Sequence, residues 1–123
     1  MTIDVSSHDL AVLCARACDD KLATDIAVLP VGDVLAVTEY FVVASASNPR
    51  QVRAITDAVL TQVRETVGRG PLRSEGVREQ QWVLVDYGDV VVHVFSEETR
   101  RFYEIERLYK DVEPLDWAAA ELS

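Results

Sequence analysis

The chain lacks any apolar run near the ~18–20 residues that a bilayer-spanning helix needs. Its opening stretch, MTIDVSSHDL, lacks the basic flank and apolar core of a signal peptide. A soluble, cytoplasmic protein is the resulting expectation. Base is scarce as well: 12 Lys and Arg stand against 21 Asp and Glu, a formal net charge of −9. That field repels a phosphate backbone, so direct nucleic-acid specificity is not expected. A basic protein suits it better, although acidity also serves plain solubility. Glycine is sparse, and the segment ASASNPR before the second predicted helix has none. No phosphate-loop pattern occurs anywhere, which removes the usual grip of a nucleotide-dependent enzyme. Cysteine is limited to Cys14 and Cys18, four apart in LAVLCARACDDKL. Two side chains one helical turn apart rarely reach disulfide geometry, and a zinc site needs two more ligands where only His8 is near. Buried free thiols are expected.

What is present is a globular pattern: 123 residues, 49% of them hydrophobic, fit one domain with a sizeable core. There is no internal repeat, low-complexity run or linker. Ser6 and Asp9 have capping-box spacing, and Leu10, Leu13, Cys14, Ala17 and Cys18 recur at helical intervals. Residues 25–31, DIAVLPV, and residues 38–47, TEYFVVASAS, read as strands. Asn48, Pro49 and Gln51 open a second helix whose stripe runs Val52, Ile55, Val59, Val63 and Val67, and Gly68 ends it. Residues 69–76 form a turn-rich connection with room for a short edge strand.

QWVLVDYGDVVVHVF then reads as two strands around a tight turn at Tyr87-Gly88. Both are nearly continuous in apolar residues, so both faces of the sheet should be covered. SEETRRFYEIERLYKD reads as a single helix capped by Ser96, with Phe102, Ile105 and Tyr109 facing inward. The remainder, VEPLDWAAAELS, is a tail with Trp117 available to dock. The order α-β-β-α-(β)-β-β-α predicts an α/β fold, a mixed β-sheet flanked by helices. A single domain over 1–112 and a C-terminal tail over 113–123 follow.

Three groups invite a chemical reading. Asp86 and Asp89 flank the turn, where two carboxylates can approach and hold a divalent metal, as in nucleotidyl transfer. Aspartate is also an ordinary turn residue, and the phosphate-gripping loop is missing. His93 shares a strand face with Val91 and Phe95, and no nucleophile pattern awaits it, so a structural role is expected. Trp82 opens the first hairpin strand, Tyr87 tips the turn and Tyr103 lies off the stripe of the last helix. Such residues anchor interfaces, but a tryptophan at a strand end closes a core just as readily.

TEYFVVASASNPRQVRAI, then SEG, then WVLVDYGDVVVHVFSEETRRFYEIERLY, together resemble the ribosomal silencing factor family, RsfS/Iojap. The resemblance runs from about residue 8 to residue 111 and is densest over 74–109. It implies a nucleotidyltransferase-like fold without the catalytic motif, no enzymatic activity, no cofactor and no metal, and a homodimer. It also implies binding to a basic ribosomal protein on the intersubunit face of the large (50S) subunit. That binding would block the small (30S) subunit and repress translation under nutrient limitation. Carried over by position, the contact surface draws on Trp82, Asp86, Tyr87, Asp89, Arg101, Tyr103, Glu104 and Glu75. The chain departs from the family pattern at Ala46, where glycine is frequent, and at Leu108-Tyr109, where Leu-Trp is common. Beyond Asp111 no counterpart is evident.

Overall fold

The computed structural model describes residues 5–122. The first four residues, part of the stretch read above for a signal, and Ser123 lie outside the described residues.

Helix α1 (Ser7–Asp20) starts where the Ser6 hydroxyl accepts the Asp9 amide at 3.1 Å. Strands β1 (Thr24–Pro30) and β2 (Tyr40–Ala46) pair antiparallel, and helix α2 (Pro49–Val67) follows. Asn48 caps α2 by accepting from the Gln51 amide at 2.8 Å, while the Gln51 side chain accepts from the Ser47 amide at 2.7 Å. Gly68 ends the helix at φ 77°, a left-handed conformation that glycine adopts without strain. Strand β3 (Arg73–Glu75) is the short edge strand, and β4 (Trp82–Asp86) and β5 (Val90–Ser96) form the expected hairpin. The sheet order is β1-β2-β5-β4-β3, antiparallel throughout except for the parallel pair β2 and β5. This is a mixed α/β sheet flanked by helices, as the element order predicts.

Strand alternation divides the core in two. Val42 and Ala44 of β2, Val83 and Val85 of β4, and Val90, Val92 and Val94 of β5 face α1 and α2. Leu10, Cys14, Cys18, Val52, Ile55, Val59 and Val63 meet them from the helices. The opposite face holds a smaller cluster of Leu29, Val31, Val43, Phe95 and Ile105. Only part of that second face is covered. Phe41 and Leu84 remain half-exposed on it, because no long helix crosses there.

The final segment departs from the expected single helix. Helix α3 (Glu97–Tyr103) stops at Glu104, which takes a left-handed conformation at φ 45°, and residues 105–109 continue as a 3-10 helix. The break rotates the segment, so Ile105 is buried and Tyr109 packs edge-on against Phe41 at 5.4 Å. Phe102 points to solvent, 79% exposed, so the inward stripe of Phe102, Ile105 and Tyr109 does not form. Three contacts accompany the break. The Tyr103 ring lies 4.9 Å from Trp82, and Arg100 donates to Ser45 Oγ at 2.8 Å and to Glu106 at 2.6 Å. An unbroken helix carries residue 106 on by a regular turn, whereas the kink brings Glu106 back to Arg100.

The C-terminal segment lies along the β1 edge. The Leu115 amide donates to Val28 O at 2.9 Å, and the Trp117 indole donates to Ile26 O at 3.3 Å. Arg16 donates to Ala120 O at 2.6 Å. Among the described residues, no helix is long and apolar enough to cross a membrane.

Candidate functional site

The hairpin turn is the natural place to begin, since it holds both aspartates. The structure separates them. The Asp86 carboxylate accepts from the Gly88 amide at 2.7 Å and from Arg73 of β3 at 3.1 Å. Asp89 accepts from Arg69, just after α2, at 3.0 Å and from the Ser7 hydroxyl of α1 at 2.8 Å. One carboxylate is committed to the edge strand and the other to the helix-covered side. Burial alone would raise the Asp89 carboxyl, but the hydrogen bonds from Arg69 and Ser7 outweigh it and hold its pKa below the usual value. Among the described residues, no group of three His, Cys, Asp or Glu side chains converges as a metal cluster. The two carboxylates that could have approached across the turn take separate partners instead.

Tyr87 was expected at the turn tip as an accessible aromatic. It is 1% exposed, so it offers no side-chain surface. Its amide donates to Val90 O at 2.9 Å, and the ring continues the inward alternation of Val83 and Val85 into the helix-side core. Arg69 covers it, with its guanidinium 5.9 Å from the ring centroid and a donated bond to Tyr87 O at 2.6 Å. Burial pushes the phenol pKa well up, so the ring stays neutral. Arg69 thus braces both Tyr87 and Asp89. Sequence reading missed it because residue 69 lay in an apparently irregular connection.

The uncovered sheet face presents the remaining candidates. Trp82 donates its indole hydrogen to His93 Nδ1 at 3.1 Å and packs against Phe95 at 4.8 Å and Tyr103 at 4.9 Å. Trp82 therefore both closes the smaller core and keeps part of its ring accessible. His93 is buried and stands edge-on to Phe41 at 4.7 Å, the structural role expected of it. Burial lowers its pKa to about 4, against the weaker pull of Asp86 and Glu106. On the neighbouring edge strand, Glu75 is paired in register with Leu84 at the middle of β4, and Arg73 with Asp86 at its end. Tyr103, which packs on Trp82, is exposed, as are Arg101 and Glu104 on the same segment. So Trp82 and Tyr103 meet at the start of β4, with Arg101 and Glu104 on the same short segment as Tyr103, while Asp86 ends the strand and Glu75 faces its middle. Tyr87 and Asp89 belong to the helix side.

A cleft of about 620 Å³ lies at the carboxyl ends of β2 and β5, lined by Ser47, Asn48, Ser96, Glu97 and Arg101 among others. Open α/β sheets often bind ligands at such a place. Here the Asn48 and Ser96 side chains already accept helix N-terminal amides, and Glu97 and Glu98 place carboxylates in the first turn of α3. The helix N-terminal amides at this cleft are therefore already occupied, and the acids of α3 stand beside Arg101 on its rim. The cysteines are both buried and free, and burial raises both thiols, Cys18 to about 12. They are protonated, inert core residues.

A mixed five-stranded sheet with two helices packed on one face and a partly bare opposite face defines the α/β class of the fold. The chain belongs to the ribosomal silencing factor family: the model described as "Ribosomal silencing factor during starvation" matches residues 4–122. It is 40% identical over 107 residues to the ribosomal silencing factor RsfS of Bacillus subtilis, covering 87% of this chain and 90% of that one. It is 32% identical over 89 residues to "Mitochondrial assembly of ribosomal large subunit protein 1" of Mus musculus, covering 71% of this chain and 39% of that one. A crystal structure of a protein from Chromobacterium violaceum superimposes with a TM-score of 0.81 at 31% identity, covering 96% of this chain and 91% of that one. These matches bear out the family resemblance read over residues 8–111. The family match also runs past Asp111 to residue 122, so the tail does have a counterpart.

Proposed function

We propose that this chain is a ribosome anti-association factor without catalytic activity. It binds a basic ribosomal protein on the intersubunit face of the large subunit, in the cytoplasm and as a homodimer. Its bulk then blocks the small subunit and represses translation when nutrients are short. The family match across residues 4–122 is the observation that carries this reading. The net charge of −9 supports it, since an acidic surface steers toward a basic one. The contact surface we assign is the partly bare sheet face, with Trp82 and Tyr103 as aromatic anchors and Asp86, Glu75, Arg101 and Glu104 around them. Tyr87 and Asp89 serve it indirectly, by holding the turn that carries Asp86.

The test is co-sedimentation with isolated large subunits, together with a subunit-joining assay. The chain should pellet with large subunits and reduce joining when in excess. Trp82→Ala should weaken binding by about 2 kcal/mol, the usual cost of removing an aromatic anchor. Absence of co-sedimentation at micromolar protein and low salt would refute the proposal.

A further inference from the structure

The loop 31–39, strand β3 and strand β4 enclose a groove of about 430 Å³ on the bare sheet face. Leu35, Val37, Phe41, Leu72, Leu84 and Val91 line it. Val37 is 84% exposed and Leu72 75% exposed, an apolar rim that gains nothing by facing water. Leu72 is fixed in place, its amide donating to Asp86 O at 2.7 Å.

Two further groups of this lining are unsatisfied. Thr38 and His93 are 6% and 5% exposed, and Thr38 Oγ1 and His93 Nε2 are buried without a hydrogen-bond partner. Because His93 Nδ1 accepts from Trp82, the neutral ring carries its proton on Nε2. A buried orphan of this kind costs about 1–3 kcal/mol, and both atoms lie beneath the groove surface rather than on it. The charges around the groove indicate what fits. Asp33 and Glu39 are exposed on the loop, and Glu75 is exposed on β3. The one lining cation, Arg73, is already engaged by Asp86 at 3.1 Å and Glu75 at 3.8 Å.

We propose that this groove seats an apolar side chain of the protein partner, carried on a backbone segment flanked by Lys or Arg. The inserted side chain covers Phe41, Leu84 and Val91. The flanking cations meet Asp33, Glu39 and Glu75. This rests on the function proposed above and adds an apolar anchor separate from the Trp82–Tyr103 end of β4.

The test compares binding of the full chain to isolated large subunits with that of a Val37→Glu/Leu72→Glu variant. Both positions are exposed, so the fold is retained, and both changes add negative charge. A purely electrostatic dock would bind the variant as well or better. An apolar anchor predicts at least a tenfold loss, while Val77→Glu, beside α2, binds normally. A benzophenone side chain at position 37 should crosslink to a ribosomal polypeptide at an apolar residue with Lys or Arg adjacent. Unchanged or tighter binding of the double variant, or crosslinking to RNA or to a second copy of this chain, overturns the groove assignment alone. Failure of the unsubstituted chain to co-sediment overturns the functional reading, and the groove assignment with it.

Discussion

At pH 7 the His93 imidazole is neutral, because burial lowers its pKa to about 4 while its Nδ1 accepts from Trp82 at 3.1 Å. In the unfolded chain the same ring titrates near ~6.5. Between those values the unfolded state binds the extra proton, so this term is complete above about pH 6.5 and lost as pH falls toward 4. The full loss is on the order of 3 kcal/mol. Urea unfolding at pH 7 and at pH 4.5 should show it, and His93→Gln should flatten the dependence in that window. An equally steep fall in the variant would assign the sensitivity to other groups. His93 was legible in sequence because its neighbours on the strand are apolar and β-branched. Tyr87 was legible too, had the count of two from Val83 and Val85 been carried one step past the strand end. Arg69 was not, since its partners Tyr87 and Asp89 lie 18 and 20 residues away.

Elements whose signals are local formed where expected: α1 and α2 have side-chain caps, α2 a terminal glycine, and the hairpin a glycine at φ 94° in its turn. The last helix did not. Its sequence carries a helical stripe with no glycine or proline to stop it, yet Glu104 adopts a left-handed conformation where Tyr103 packs on Trp82, Arg100 bonds to Ser45 and Ile105 is buried. Tertiary packing overrode local periodicity. The link between β3 and β4 has its own constraint at Gly76. Its φ is +78°, and a Cβ there would stand 2.0 Å from Trp82 O. Gly76→Ala should therefore cost about 1–3 kcal/mol from backbone strain alone, read as a lowered urea midpoint. Because the clash is with backbone at Trp82, the same variant should also bind large subunits less well. A midpoint equal to that of the unsubstituted chain would show that the loop can relax.

Across the whole molecule, the C-terminal segment decides how much of the chain acts as one unit. Leu115 and Trp117 pack against the helix-side core beside β1, and Arg16 holds Ala120 O at 2.6 Å. Truncation after Val112 should lower stability by about 2–4 kcal/mol, taking each side chain as roughly half of a 1.5–3 kcal/mol burial plus lost hydrogen bonds. Thermal unfolding checks this; an unchanged midpoint would make 113–123 a separable tail. By itself the sequence determined the helices α1 and α2, the hairpin, the mixed α/β class, the acidic field and the missing phosphate loop. Each of these is written in spacing or composition, within a turn of helix or a few residues of strand. The tertiary structure decided that Asp86 and Asp89 part, that Tyr87 turns inward, that the last helix breaks and that one sheet face stays partly bare. Those outcomes depend on partners such as Ser7 for Asp89, 82 residues away, and Ser45 for Arg100, 55 away. No local period encodes a contact over that distance; only the folded chain brings the groups together.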